Sequence, residues 1–399
     1  MSSEVPPLGD ANPNRLAFID ILRGFACLWV TLCHVHAEWC DLSKGSGWLD
    51  RMVATGVGIG GKGVDVFVVL SGFCLFYPVV RRHLNQKSQR SLGEFYRRRA
   101  LRILPVYFSA IIFSLVLIYS GAQIALYRGL WDIVPHLFLI QNAMPDYTGR
   151  INGPLWSVAL EAQLYLFFPF VAMLWLRGHS SLIIVGAALT SIAANLIDMT
   201  GYLSGAPLNV VVGTALPARL IQFCLGMLVA WCLVSQQRIQ LRWWIVVAIG
   251  MLPIALYTTS RTGADSLLRI LYFIAWGQLA ATSILVGHYT TQRWRWISMI
   301  AKPLEWLGLI SFSFYALHFP IMFAIEPYVQ PFVTGPTQGI MLFLITGFPV
   351  MLAAACGLYW GVERHFISTG SQNIGKQTRV VPDPMPETAN MTTKSGVFE

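Results

Sequence analysis

Apolar residues run along this chain in long stretches, and the polar and charged residues collect between them. Ten stretches are long enough to cross a bilayer as helices: roughly 15–37, 64–81, 103–121, 155–176, 181–199, 215–235, 242–258, 267–288, 306–326 and 339–362. The expected fold is therefore an all-α polytopic membrane protein of about ten transmembrane helices. A further amphiphilic run, 130–142 (LWDIVPHLFLIQN), is too short to span and is expected at the interface or as a re-entrant segment. Residues 1–14 (MSSEVPPLGDANPN) are polar and proline-bearing and read as a disordered cytoplasmic N-terminus. Residues 15–365 form the membrane domain, and 366–399, rich in Thr, Pro, Ser and Lys, read as a flexible cytoplasmic tail. No internal repeat and no soluble catalytic domain flank the apolar region, so any chemistry belongs inside the membrane.

Composition agrees. Of 399 residues, 55% are hydrophobic and 12% charged, whereas soluble domains carry about 25% charged residues. The net charge of +9 would suit nucleic acid, but the cations sit in short loops between apolar segments, where orientation in the membrane explains them. The segment after the second span holds Arg81, Arg82, Lys87, Arg90, Arg97, Arg98, Arg99 and Arg102, and alternate loops downstream are also basic. The intervening loops, such as 326–338, hold few or none, so both termini are expected in the cytoplasm. The seven Cys have no CxxC or metal-finger spacing and read as small packing residues, with no metal site.

Against this background the intramembrane polar groups stand out. In LAFIDILRGFACLWVTLCHVH, eleven helical steps from Arg23 to His34 turn about three times plus 20°, so the two share one face about 16 Å apart. A buried arginine costs about 2.5–3.5 kcal/mol on insertion scales and needs a reason. Imidazole, with an unperturbed pKa near 6.5, is the usual proton-transfer group at neutral pH. Glu38, one turn beyond His34, could hold its ring in one tautomer, whereas Arg23 could simply pair with Asp20. In GGKGVDVFVVLSGFCLFYP, Asp65 could accept from His34 or bind a substrate hydroxyl, and Ser71-Gly72 permits close helix approach. Arg99 and Arg102, three apart in FYRRRALRILPVYF, suit a phosphorylated ligand or simply flank a helix end. Glu161 lies about seven residues into a span with no basic neighbour in sequence, and Tyr165 follows one turn later. Ser311, Tyr315 and His318 share a face of ISFSFYALHFP, for an interhelix hydrogen bond or for catalysis.

Taken in order, RGFACLWVTLCH, GVDVFVVLSGF, RRRALRILPVY, LWSVALEAQLYLFFP and SFSFYALHFP resemble the motifs of the membrane-bound acyltransferase family 3, over residues 15–325. Val68 stands where that family frequently has an aromatic. The resemblance implies ten core spans, an acyl-CoA donor (acetyl-CoA by default) from the cytoplasm, and a glycan or lipid-linked acceptor approached from the far side of a bacterial inner membrane. It implies transfer dependent on His34 and Arg23, with Arg99 and Arg102 near the CoA phosphates; the placement of the residues adds Glu161 as a third catalytic candidate and Asp65, Tyr165, Tyr315 and His318 as orienting or substrate-binding groups. Several relatives continue into a soluble esterase-like domain; a second transfer step by such a domain is not expected here. The sequence leaves the acceptor, the acyl length, direct transfer versus a covalent acyl-histidine, and the oligomeric state open. The alternative is a proton-coupled transporter in which His34, Asp65 and Glu161 form a relay.

Overall fold

A computed structural model describes residues 16–40, 47–120, 129–203, 213–235, 240–260 and 271–366, and every regular element among them is helical. The segments read as a disordered start (1–14) and a flexible tail (366–399) lie outside these residues, apart from Phe366. Six helical runs are long and apolar enough to cross a membrane, and two bent pairs raise the number to eight. The ten stretches of the sequence reading fall on the same helices, divided differently. Those at 155–176 and 181–199 form one run, Gly153–Ile197, turned at Gly178, where φ is +90° and a side chain would be strained. The stretch at 267–288 becomes Tyr272–Arg293, a helix of 22 residues that stands outside the eight.

In chain order the helices are α1 (Ala17–Trp39), α2 (Trp48–Gly58), α3 (Gly63–Leu84), α4 (Leu92–Tyr119), α5 (Ile133–Leu137), α6 (Trp156–Leu174), α7 (Ser180–Leu203) and α8 (Leu216–Val234). They continue as α9 (Leu241–Ser260), α10 (Tyr272–Arg293), α11 (Arg295–Ile300), α12 (Lys302–Leu309), α13 (Ser311–Val329), α14 (Pro336–Ile345) and α15 (Gly347–Leu358). Local sequence sets several of the ends. Ser91 caps α4 by accepting from the Glu94 N–H at 3.3 Å, leaving one fewer orphan donor in its first turn. The chain bends by 81° between α12 and α13 and by 43° between α14 and α15.

In lipid, helices associate through close packing and not through the hydrophobic effect, so small residues belong at the contacts. The most extensive contact, α3 on α8, has this form. A methyl group at Gly72 would strike the carbonyl of Phe223, and one at Gly226 would strike the carbonyl of Val69. The expected close approach at Ser71-Gly72 is thus made against α8. Gly72→Ala is expected to push the two helices apart and cost about 1–3 kcal/mol, read as a lower unfolding temperature of the detergent-solubilised protein.

Helix α1 runs through the middle, packed on α3, α10, α12 and α13. Cys27 meets the carbonyl of Ser311, and His34 meets His318; both pairs are 284 residues apart. A constant offset means that α1 and α13 run in the same direction. The start of α1, the end of α3 and the start of α4 share one Arg-rich end of the bundle. Large apolar side chains such as Ile112, Val116, Phe167, Phe170, Leu182 and Leu189 are exposed on the outside, as a lipid-facing surface requires.

At the opposite end, residues 130–155 form no span; α5 has five residues, and the segment is a buried polar knot. The Tyr107 hydroxyl donates to the His136 carbonyl at 2.9 Å, and Gln141 donates to the Tyr107 oxygen at 3.0 Å. Asn152 ties the knot to α13. Pro320 has no N–H for the carbonyl of Ala316 four residues earlier, and Asn152 Nδ2 donates to that carbonyl instead, at 2.9 Å.

Candidate active site

The parallel packing of α1 and α13 joins the two histidines. His34 Nδ1 and His318 Nε2 lie 2.9 Å apart, with the ring planes 18° apart and the centroids 5.2 Å apart, so the two rings meet end to end and nearly coplanar. His318 is fully buried, and its Nδ1 is 2.6 Å from the carbonyl oxygen of Tyr315. The edge of Phe319 closes on His34 at 5.4 Å. Glu38, which the sequence offers as the ring's partner, is exposed on α1; the partner comes from α13, because the register there delivers an imidazole. His36 is buried against Gly58 and takes no part in the pair.

Arg23 makes the local contact foreseen with Asp20, at 3.6 Å, and also donates to Cys74 Sγ at 3.6 Å. Its larger consequence is position. Arg23 lines two spaces, a cup of about 540 Å³ at the Arg-rich end and an inner cavity of about 80 Å³. Arg81, Arg82, Lys87 and Arg90 line the cup. Arg102, Glu161, Ser71, Ser157 and Tyr315 line the cavity, with Val64, Val68 and Leu164 among its apolar walls. Arg23 therefore stands at the neck between a cationic vestibule and a mixed interior.

The Glu161 carboxylate is committed: Ser71 Oγ donates to its Oε1 at 2.8 Å, and the Tyr165 hydroxyl donates to the same oxygen. Tyr315 is held by Ser157 at 2.8 Å and by the Pro154 carbonyl at 3.2 Å, with its ring 5.2 Å from that of His318. The cavity thus reaches Tyr315, one ring away from the histidine pair.

Arg99 and Arg102 separate, although they are three residues apart. Arg102 faces the inner cavity, while Arg99 lies over the Tyr165 ring at 5.6 Å and lines a third space of about 470 Å³, mostly apolar, between α3, α4 and α6. Asp65 is not brought to His34. Its Oδ1 accepts from Arg219 Nη1 at 2.7 Å and from Gln222 Nε2 at 2.8 Å, both on α8. The three groups of the relay alternative, His34, Asp65 and Glu161, are therefore held by three different sets of partners. Among the described residues no group of three or more His, Cys, Asp or Glu could hold a metal ion, and all seven Cys are free thiols.

Sequence reasoning passed over Arg219 and Glu363, gave Ser71 and Cys74 packing roles only, and read the vestibule cations as topology. Arg219 carried a readable signal: an arginine inside an apolar stretch demands a partner. Glu363, buried and accepting from Ser313 at 2.6 Å, lies just past the last apolar stretch and gave none.

A multi-helix membrane protein with a cationic cup at one end and paired imidazoles towards the other is the setting in which the comparisons fall. The acyltransferase domain family (Acyl_transf_3) matches residues 16–360, and the chain belongs to that family. It is 28% identical over 330 residues to the acyltransferase MdmB of Streptomyces mycarofaciens, covering 77% of this chain and 79% of that one. It is 25% identical over 341 residues to the O-acetyltransferase OatA of Staphylococcus aureus (strain NCTC 8325 / PS 47), covering 79% of this chain and 52% of that one, so it spans about half of OatA. No solved structure matches it.

Proposed function

We propose that the protein is an integral-membrane O-acyltransferase that moves an acyl group, acetyl by default, from cytoplasmic acyl-CoA to a hydroxyl of an extracytoplasmic glycan or similar acceptor. In this reading the chain crosses a bacterial plasma membrane ten times, with both termini and the Arg-rich end in the cytoplasm. The observation that carries it is Arg23 at the neck between vestibule and cavity, on the same helix as an inward-facing His34. Arg81, Arg82, Lys87 and Arg90 offer guanidinium and ammonium groups to the donor's phosphates, and Arg23 with Arg102 holds the donor's arm where it turns inward. Arg99 lies over Tyr165 and lines the neighbouring space, which shares Arg82 and Arg90 with the cup.

His34 then acts as general base. It takes the proton of the acceptor hydroxyl as the oxygen attacks the thioester carbonyl; the C–S bond breaks, and the proton leaves with the CoA thiol. The donor stays on one side and the acceptor on the other, so only the acyl group changes sides. Glu161 and Tyr315 line the route and present polar groups to the donor's amides.

The test is transfer from radiolabelled acetyl-CoA in inverted membrane vesicles, together with mass spectrometry of ester-linked acyl groups on surface glycans after gene deletion. Loss of those esters on deletion is expected; no acyl transfer from any CoA thioester would sink the reading. Arg23→Gln removes a charge-assisted contact worth about 1.5–3 kcal/mol, so the donor KM is expected to rise about tenfold to hundredfold. A donor KM that does not move would take Arg23 off the donor route.

A further inference from the structure

We infer that His318 is the positioning residue that fixes the tautomer of His34, leaving the bare Nε2 of His34 as the nitrogen that accepts the proton. The inference rests on the acyl-transfer reading above and follows from two short contacts. His318 Nδ1 is 2.6 Å from the carbonyl oxygen of Tyr315. A carbonyl oxygen only accepts, so Nδ1 carries a hydrogen and donates it. A neutral imidazole has one N–H, which leaves Nε2 of His318 with an exposed lone pair.

That lone pair lies 2.9 Å from Nδ1 of His34. Two lone pairs do not sit at that distance, so His34 Nδ1 bears the hydrogen and donates to His318. The remaining nitrogen, Nε2 of His34, is then unprotonated. A backbone carbonyl on α13 thus decides, through two hydrogen bonds, where the basic lone pair of α1 resides. The Tyr315 carbonyl can serve in this way because its second lone pair remains available to its own helix.

A neutral acceptor suits the location. His318 is completely enclosed, and a carboxylate in its place would bury a permanent charge among apolar side chains. Imidazole fixes the tautomer without that cost. When His34 takes a proton, the Nδ1–H bond to His318 strengthens as a charge-assisted bond, so the stabilisation arrives in step with the charge. The near-coplanar, end-to-end placement of the rings aligns the lone pair with the N–H, and Phe319 packs against the His34 ring.

The direct measurement is the nitrogen-15 spectrum of histidine-labelled wild-type protein, with His34 assigned by comparison with a His34→Gln sample. Nitrogen-15 shifts separate a protonated from a bare ring nitrogen; a proton on Nδ1 and a bare Nε2 are expected for His34. A proton on Nε2 overturns the inference. Kinetically, His318→Leu removes the acceptor and is expected to lower kcat about tenfold to hundredfold with the donor KM unchanged. His318→Gln, whose side-chain oxygen can accept from His34 Nδ1, is expected to recover most of that loss. Wild-type kcat in the Leu variant overturns the inference. A Leu variant that does not fold leaves the decision with the wild-type spectrum. Failure of the wild-type protein to transfer any acyl group overturns the proposed function instead, and the spectrum is read independently of it.

Discussion

Replacing His34 with Ala is expected to lower acyl transfer by about 10²–10⁴-fold, the range that a positioned general base supplies, while leaving the protein inserted and folded. The stability half of this expectation follows from what the side chain touches. His34 is only half-buried, and its ring contributes one hydrogen bond to His318 and an edge contact with Phe319. Losing that hydrogen bond costs about 1 kcal/mol. Helix α1 keeps its seats on α3 and α12, where close approaches are made at Ala26–Gly63 and Gly24–Leu304. The donor KM is expected to hold, because Arg23 and the vestibule lie at the other end of the helix. The measurement is vesicle-based turnover beside size-exclusion behaviour in detergent. A well-behaved His34→Ala protein with undiminished turnover would remove the base from the mechanism. The neighbouring His36 is a built-in control: it is buried against Gly58 and away from the pair, so His36→Gln should retain transfer.

The part of this site that was readable in the sequence is the part that lies within single helices. The eleven-residue spacing from Arg23 to His34, the Glu161–Tyr165 turn and the Ser311–Tyr315–His318 stripe are all periodicity statements, and each stripe faces inward in the structure. What the sequence withholds is which stripes meet. The offset that brings His318 to His34 depends on α1 and α13 running parallel, and no feature of either segment alone specifies that. Asp65 illustrates the same limit. Its place at the mouth of a span is readable, but its partner, Arg219, lies 154 residues away on α8. The basic run 81–102 was legible as topology, and only the folded loop turns four of its cations into one wall of a cup. Span counting blurs for a different reason. The polar break Arg177-Gly178-His179-Ser180 divides two apolar stretches in the sequence, but the backbone carries one helical run through it, turned at Gly178, so the break is a bend and not a loop.

The largest effect on stability is expected from separating Asp65 and Arg219. Both are buried, with Asp65 1% exposed and Arg219 7%, and the guanidinium also lies 5.0 Å from each of the Trp156 and Phe273 rings. Arg219→Met leaves the Asp65 carboxylate enclosed with Gln222 as its donor on α8, and breaking such a buried pair costs about 3–5 kcal/mol. That is a large share of the roughly 5–15 kcal/mol by which folded domains outlast their unfolded chains, so low yield and aggregation are expected. Asp65→Leu leaves the opposite charge uncompensated and should fail to the same degree. Combining the two removes both charges while Met continues to fill the space between the two rings, and apolar replacement of a whole buried pair is often neutral. The double variant is therefore expected to regain the unfolding temperature that either single change loses. It also decides what Asp65 is for. If the carboxylate serves only to hold α3 to α8, the stable double variant transfers acyl groups at close to the wild-type rate. If Asp65 instead binds the acceptor hydroxyl or assists His34, the double variant will be folded and inactive.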